Sequence, residues 1–230
     1  MAETHFGEWI AAHYAILWPE LFEPTLIDAT VSFLAGLAPG GAALEFGIGT
    51  GRIAKPLQNQ GLEVYGIELS PAMAAHVDHT IVGDYATTRL GRMFDLVYLL
   101  RNTITNLVTQ DEQVRAFENA AAHLRPGGCF VVENYIPQMR ERVFVETPEH
   151  RGVEEYDLAT QIAISHHRWT IDGETHAFSS PHRYVWPAEL DLMARIAGLT
   201  LRERWSDWHR TPFTSASTDH VTAWEKPLSH

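Results

Sequence analysis

The strongest constraint in the chain is the segment Ala42-Ala43-Leu44-Glu45-Phe46-Gly47-Ile48-Gly49-Thr50-Gly51. A short apolar strand runs into three alternate glycines, after which helical spacing begins. Missing side chains let a backbone turn tightly and come close to a ligand, and a helix opening there offers unpaired N–H groups to a carboxylate or phosphate. Between residues 42 and 133 short apolar runs keep alternating with longer helical stretches. That alternation is the mark of β-α-β units and a mostly parallel sheet.

Strands are expected over 42–46, 62–68, 80–82, 94–100 and 129–134. The helix after the glycines should end at Gly61, and Pro56 fits it only within the first turns, because a proline lacks the N–H and crowds the carbonyl four residues back. Ser70-Pro71 reads as an N-cap and first helical residue, opening a helix through Met73 and Val77. Thr109 and Glu112 have capping-box spacing before Val114, Phe117, Ala121 and Leu124, and the helix should stop at Arg125-Pro126-Gly127-Gly128. Beyond 136 the rhythm changes. Segments 159–171 and 176–185 read as strands of a hairpin turned by Asp172-Gly173, followed by a helix over 187–197 and strands over 199–204 and 221–225. Residues 1–20, with Phe6, Trp9, Ile10, Tyr14, Leu17 and Trp18 at helical intervals, form an amphipathic helix that serves as a core cover or a lid.

A chain of 230 residues with 45% hydrophobic content supports one core, so a single domain is expected: an N-terminal helix or lid (1–20), a ligand-binding core (42–135), an antiparallel platform (136–186) and a final helix with strands (187–230). A formal charge of −12 argues against gripping nucleic acid, which demands clustered Lys and Arg. The single cysteine, Cys129, lies in an apolar run and reads as a buried thiol, with no internal disulfide. No apolar stretch approaches the ~20 residues that span a bilayer, and the start lacks a signal peptide's basic end and apolar stretch, so no membrane and a cytoplasmic location are expected.

Three features fall at the carboxyl ends of successive strands, where ligands collect in open α/β sheets. The glycines follow the first. Glu68 ends the second, at the distance from Gly47 that suits a carboxylate accepting from two ribose hydroxyls. Asp84, between Gly83 and Tyr85, follows the third as a short acceptor beside an aromatic ring, suited to adenine. Taken together, these residues resemble the ordered motifs of class I S-adenosylmethionine-dependent methyltransferases. Phe94-Asp95-Leu96-Val97-Tyr98 with Asn102-Thr103-Ile104-Thr105-Asn106-Leu107, and Leu124-Arg125-Pro126-Gly127-Gly128, are similar to that family's fourth strand with its active-site loop and its turn before strand five.

The resemblance implies a Rossmann-like, mostly parallel seven-stranded sheet with helices on both faces and an antiparallel β insertion after strand 5. It implies S-adenosylmethionine as cofactor, S-adenosylhomocysteine as product, and transfer to an amine or hydroxyl of a small metabolite. Glu45 and Gly47 would shape the methionine end, Glu68 would take the ribose, Asp84 and Tyr85 would meet adenine, and Leu69 and Met73 would pack on the purine. Phe46, Gly49, Arg52, Gly83 and Leu100 complete the expected cofactor site. The rivals are a dinucleotide-dependent oxidoreductase, whose Gly-x-Gly-x-x-Gly differs from the spacing here, and a catalytically silent cofactor-binding partner.

The acceptor is less constrained. The Arg101-Asn102-Thr103-Ile104 loop lacks the Asn/Asp-Pro-Pro-Tyr pattern of enzymes that methylate DNA bases. Asp95, Asn102 and Asn134 do not form a metal set, and His76-x-x-His79 reads as a solvated helix face, so no metal is expected. The platform segment Ser165-His166-His167-Arg168-Trp169 alternates its side chains, so only one histidine faces the site. That segment and Arg183-Tyr184-Val185-Trp186-Pro187 are similar to amino-sugar N-methyltransferases. The expectation is that Tyr14 and His166 line the acceptor pocket, with Asn102 or Arg183 orienting a polar substrate; the alternative is that His166, His167, Tyr14 and Trp18 only pack. Exposed platform edges suit a homodimer.

Overall fold

The computed structural model describes residues 8–139, 142–171 and 173–228; Phe6 and Asp172, on which two expectations rest, lie outside them. The main sheet contains β1 (Ala42–Phe46), β2 (Glu63–Glu68), β3 (Thr80–Val82), β4 (Phe94–Leu99), β5 (Leu124–Tyr135), β10 (Thr200–Trp205) and β11 (Asp219–Glu225). Their spatial order is β10-β11-β5-β4-β1-β2-β3. The strands from β5 to β3 pair in parallel, while β11 runs antiparallel to both β5 and β10. The chain leaves β1 toward β2 on one side and later returns to β4 on the other. A crevice therefore opens at the carboxyl end of β1.

Every residue of β1 is buried, as a strand covered on both faces requires. Leu44 and Phe46 point into one core with Phe94, Phe117, Phe130 and Trp224, under α5 (Gln110–His123) and α6 (Pro187–Ile196). Ala43 points into the opposite core with Leu34, Leu57, Tyr98 and Val131, under α2 (Pro24–Leu37) and α3 (Ala54–Asn59). Cys129 is fully buried beside Arg202, whose Nη1 lies 3.3 Å from Sγ. Among the described residues no helix is long and apolar enough to cross a membrane.

The local signals account for most boundaries. Pro56 is the third residue of α3, inside the first turn where no intrahelical N–H is needed. Ser70 caps α4, its Oγ accepting from Met73 N at 3.4 Å. That helix spans only Pro71–Ala74 and does not reach Val77. The chain tightens through His76 N to Met73 O and Val77 N to Ala74 O, at 3.1 and 3.3 Å. Val77 is thereby brought against Gly51, where an added Cβ would lie 2.5 Å from its Cγ2. His76 and His79 consequently share no helix face; His79, at φ 59°, packs beside the Tyr65 ring instead.

Strand β5 begins at Leu124, before the expected turn. The register moves from Phe94↔Leu124 to Leu96↔Cys129, so Arg125-Pro126-Gly127-Gly128 forms a bulge inside the strand, with Gly127 at φ 81°. The platform is also larger than the hairpin expected. It has four antiparallel strands, β6 (Arg142–Glu146), β7 (His150–Asp157), β8 (Ile162–Ile171) and β9 (Glu174–Arg183), in that order. Residues 159–161 belong to the turn before β8, where Asp157 accepts from Ala159 N and Thr160 Oγ1 at 2.9 and 2.8 Å.

The capping box of α5 is complete, with Thr109 Oγ1 accepting from Glu112 N at 3.2 Å and Glu112 Oε2 accepting from Thr109 N at 3.1 Å. Thr109→Ala is expected to lower stability by about 1 kcal/mol in urea unfolding.

Candidate active site

The crevice at β1 is held by one carboxylate. Glu68 is buried, and its Oε2 accepts from Gly49 N at 2.9 Å while Oε1 accepts from Ser70 N at 2.8 Å. Each oxygen keeps a further acceptor position, the pair that two adjacent ribose hydroxyls would use. Gly47 stands at φ 69°, and a Cβ there would lie 2.9 Å from Thr103 Cγ2, so both backbone and space require glycine. At Gly49 an added Cβ would meet only Met73 Sδ, at 4.0 Å, which leaves a cradle open above the turn.

Asp84 Oδ1 accepts from Ala86 N at 2.8 Å, leaving Oδ2 available to a ligand amino group. Tyr85 is clamped by its hydroxyl, which donates to Thr103 O at 2.7 Å, and by a stack on Phe46 at 5.6 Å. Burial pushes that hydroxyl well above its ordinary range. Glu45, Gly47, Gly49, Arg52, Glu68, Leu69, Met73, Asp84, Tyr85 and Leu100 all border one cavity of about 670 Å³. Phe46 and Gly83 do not. Strand alternation turns Phe46 into the α5-side core at 0% exposure, and Gly83 sits behind the wall, its N donating to Glu68 O at 2.9 Å.

Glu45 lies at the buried end of this cavity and accepts from Tyr98 Oη at 2.9 Å. Burial raises its pKa to about 8, against the lowering effects of the Tyr98 hydrogen bond and Arg52. After β4, Arg101 and Asn102 both take left-handed backbone, at φ 51° and 59°. Glu133 holds them there: its Oε2 accepts from Arg101 N at 2.8 Å, and its backbone O accepts from Asn102 N at 3.2 Å. Asn102 is thereby brought to the cavity edge.

The same cavity continues to the platform. On β8 the alternation directs Ser165 and His167 inward, and His166 outward, where its Nδ1 lies 2.7 Å from Ser179 Oγ. The histidine at the cavity is therefore His167, not His166. Arg183 does not reach the cavity either; it is buried, binding Gln113 Oε1, Gln161 Oε1 and Glu189 Oε1 at 2.5, 2.7 and 2.7 Å. Phe144, Glu154, Tyr156, Phe178, Ser180 and His182 also border the chamber. Sequence reading had missed them. Phe178, Ser180 and His182 alternate within the strand expected over 176–185, and Glu154 and Tyr156 share period-two spacing with Gly152 in a segment too charged to read as a strand.

Helix α1 (Glu8–Leu17) roofs the cavity. Trp9 stacks on His176 at 4.4 Å, Trp18 stands edge-on to His167 at 6.4 Å, and Tyr14 borders the chamber. Two arginines tie the following 3-10 turn (Pro19–Phe22) to the core: Arg52 Nη1 donates to Leu21 O at 3.0 Å, and Arg101 Nη2 lies 3.4 Å from Glu20 Oε1. Among the described residues no three His, Cys, Asp or Glu side chains are grouped to hold a metal.

Comparison with known proteins decides the family. Residues 43–128 match the family described as methyltransferase domain. The CcbJ methyltransferase from Streptomyces caelestis, a solved structure, superposes with a TM-score of 0.86 at 32% identity, covering 98% of this chain and 99% of that one. The chain belongs to the S-adenosylmethionine-dependent methyltransferases. It is also 30% identical to an uncharacterized methyltransferase of Bacillus cytotoxicus, over 65% of this chain and 76% of that one. With cypemycin N-terminal methyltransferase of a Streptomyces species the identity is 24%, over 90% of this chain and 98% of that one.

The residues of this methyltransferase fit the cofactor: the cradle over Gly49, the spare acceptor positions of Glu68 and the free Oδ2 of Asp84 match a glycine-lined turn, a ribose and an amino-bearing base. When bound, S-adenosylmethionine supplies an electrophilic methyl carbon on a sulfonium. Glu68→Ala removes the carboxylate that would accept the ribose hydroxyls and also leaves Gly49 N and Ser70 N without their partner. The expected loss is tenfold or more in cofactor affinity, about 1.4 kcal/mol at the least, read by calorimetry.

A pH prediction follows from Glu45. Its folded pKa, about 8, exceeds its ordinary 4.5, so between these values the native chain holds a proton that the unfolded chain has released. Stability from this group therefore falls as pH rises through that window and is lost above 8. His167 and His220, depressed to about 4 and about 3, act in the opposite direction but only below their ordinary 6.5. Between pH 6.5 and 8 the urea midpoint of the unliganded protein should fall more steeply than that of Glu45→Gln.

Proposed function

We propose that this methyltransferase methylates the amino group of a small polar molecule held between α1 and the platform. Methyl transfer from a sulfonium is an in-line displacement, so the protein's task is to aim a lone pair at the methyl carbon and exclude water. The observation that carries the amine reading is His167. It faces the chamber that Glu68 and Gly49 also border, and burial, with His150, His182 and His166 adding repulsion, lowers its pKa to about 4. It is therefore an uncharged imidazole at neutral pH, able to hydrogen-bond an amine without placing a second cation beside it.

The surrounding groups support the same reading. Glu154 borders the chamber and accepts from Ser165 Oγ at 3.1 Å and from the Tyr156 hydroxyl. Its carboxylate suits the hydroxyl or ammonium groups of a polar acceptor. Tyr14 and Asn102 stand at the junction of the donor and acceptor halves, and in this proposal they orient the nucleophile. The names of relatives support the same reading: one is a cypemycin N-terminal methyltransferase, and another, 34% identical over 39% of this chain and 40% of that one, is a dTDP-amino-sugar N,N-dimethyltransferase of Streptomyces venezuelae.

Incubation of the protein and S-adenosylmethionine with a panel of amino sugars, short peptides and phenols tests this, with S-adenosylhomocysteine release as the readout. Turnover is expected with amines and not with phenols; release confined to phenols, or none with any member, would overturn the proposal. His167→Ala is expected to reduce turnover at least tenfold, about 1.4 kcal/mol in the barrier, with cofactor affinity unchanged. Tyr14→Phe should act in the same direction.

A further inference from the structure

Behind His167 stands a second histidine that does not reach the chamber. His150, the first residue of β7, is buried, and its Nε2 lies 2.9 Å from His167 Nδ1. Neither ring has room to wander. His150 stacks on Trp169 with centroids 3.4 Å apart and planes 11° apart. His167 lies nearly parallel to His150 at 5.2 Å and to Phe178 at 4.7 Å, with Phe144 edge-on at 5.3 Å. The turn before β7 fixes the His150 backbone, since His150 N donates to Thr147 Oγ1 at 2.9 Å and Thr147 N donates to His150 O at 2.8 Å.

Burial holds both imidazoles below their ordinary pKa, so one proton is shared across the contact rather than two. A neutral imidazole has one donor and one acceptor nitrogen, and this permits two arrangements. If His150 Nε2 carries the hydrogen, His167 accepts at Nδ1 and presents an Nε2–H to the chamber. If His167 Nδ1 carries it, His150 accepts and His167 presents a lone pair. The difference decides the chemistry. An amine has spare N–H groups but a single lone pair, which must remain free for the methyl carbon. A donor at His167 would compete for that lone pair; an acceptor would take an N–H and turn the lone pair away from the ring.

We propose that His150 is a positioning residue that accepts the Nδ1–H of His167, fixing the tautomer in which the Nε2 lone pair of His167 faces the acceptor amine. The importance of this tautomer rests on the amine-transfer reading, but its existence is measured without any acceptor. In protein labelled with 15N-histidine and saturated with S-adenosylhomocysteine, long-range proton–nitrogen correlation spectra report which ring nitrogen of His167 is protonated, with His167→Gln assigning the signals. Protonated Nδ1 and bare Nε2 are expected. In His150→Phe, which keeps an aromatic ring on Trp169 but removes the acceptor, the signal should shift toward the Nε2–H form. In His150→Gln, whose amide oxygen can accept the same hydrogen, it should return toward the native form. An Nε2–H tautomer in the native protein would overturn the proposal, as would a spectrum unchanged in His150→Phe; if that variant does not fold, the native spectrum decides. Full turnover by His167→Ala would instead overturn only the catalytic reading of His167.

Discussion

The two hydrogen bonds that converge on Glu68 hold the methyltransferase site together. They tie the turn after β1 to the turn after β2, through Gly49 N and Ser70 N, at the edge of an open crevice. A carboxylate buried in such a place is tolerable only when its oxygens have partners. The backbone supplies them, and on the β1 side the donor is Gly49, which like Gly47 takes a left-handed conformation open mainly to glycine. The Glu68 carboxylate and the glycine cradle are thus one construction. The strand order around β1 provides the gap, and the glycines and Glu68 give it a shape.

The acceptor half is built on different principles. Nothing in the seven-stranded sheet closes the crevice; α1 and the platform do, through aromatic contacts that include Trp9 with His176 and Trp18 with His167. Gly152 is essential to this wall because an added Cβ would lie 2.3 Å from Phe144 Cζ, and Phe144 would then lose its seat beside His167. The consequence is electrostatic as well as steric. A chamber walled by aromatic rings excludes water, and the same exclusion keeps His167 uncharged. The chain carries a net charge of −12, and beside His167 the chamber wall sets the Glu154 carboxylate among serine, tyrosine, phenylalanine and histidine side chains.

Much of the donor half was legible in the sequence because its signals are backbone signals. Three glycines after an apolar run, Ser-Pro at a helix start and a Thr–Glu capping box each require a local conformation whatever lies around them, and β1, α4 and α5 end or begin where those signals set them. Errors arose where tertiary packing overrode local pattern. Helix α4 stops early and the tightened chain seats Val77 against Gly51, while β5 begins before the apparent turn, which its register passes as a bulge. Phe46 looked like a cofactor contact by position in the motif, but strand alternation turns it into the core.

In the acceptor half the alternation rule was right and its phase was not. His166 and His167 had to face opposite sides, but nothing within the segment says which side is inward. That choice depends on β7 and β9, which flank β8 and pair Gly152 and Phe178 opposite His167. Arg183 was a plausible substrate ligand by charge alone, whereas Gln113, Gln161 and Glu189 absorb it into the joint between α5, α6 and the platform. The asymmetry has a physical origin. The donor half rests on a glycine turn and on Glu68 and Asp84, each at the end of its own strand, so its requirements are written in short local motifs. The chamber proposed for the acceptor is bordered by side chains from α1, the loop after β4 and all four platform strands, and their conjunction exists only after the chain has folded.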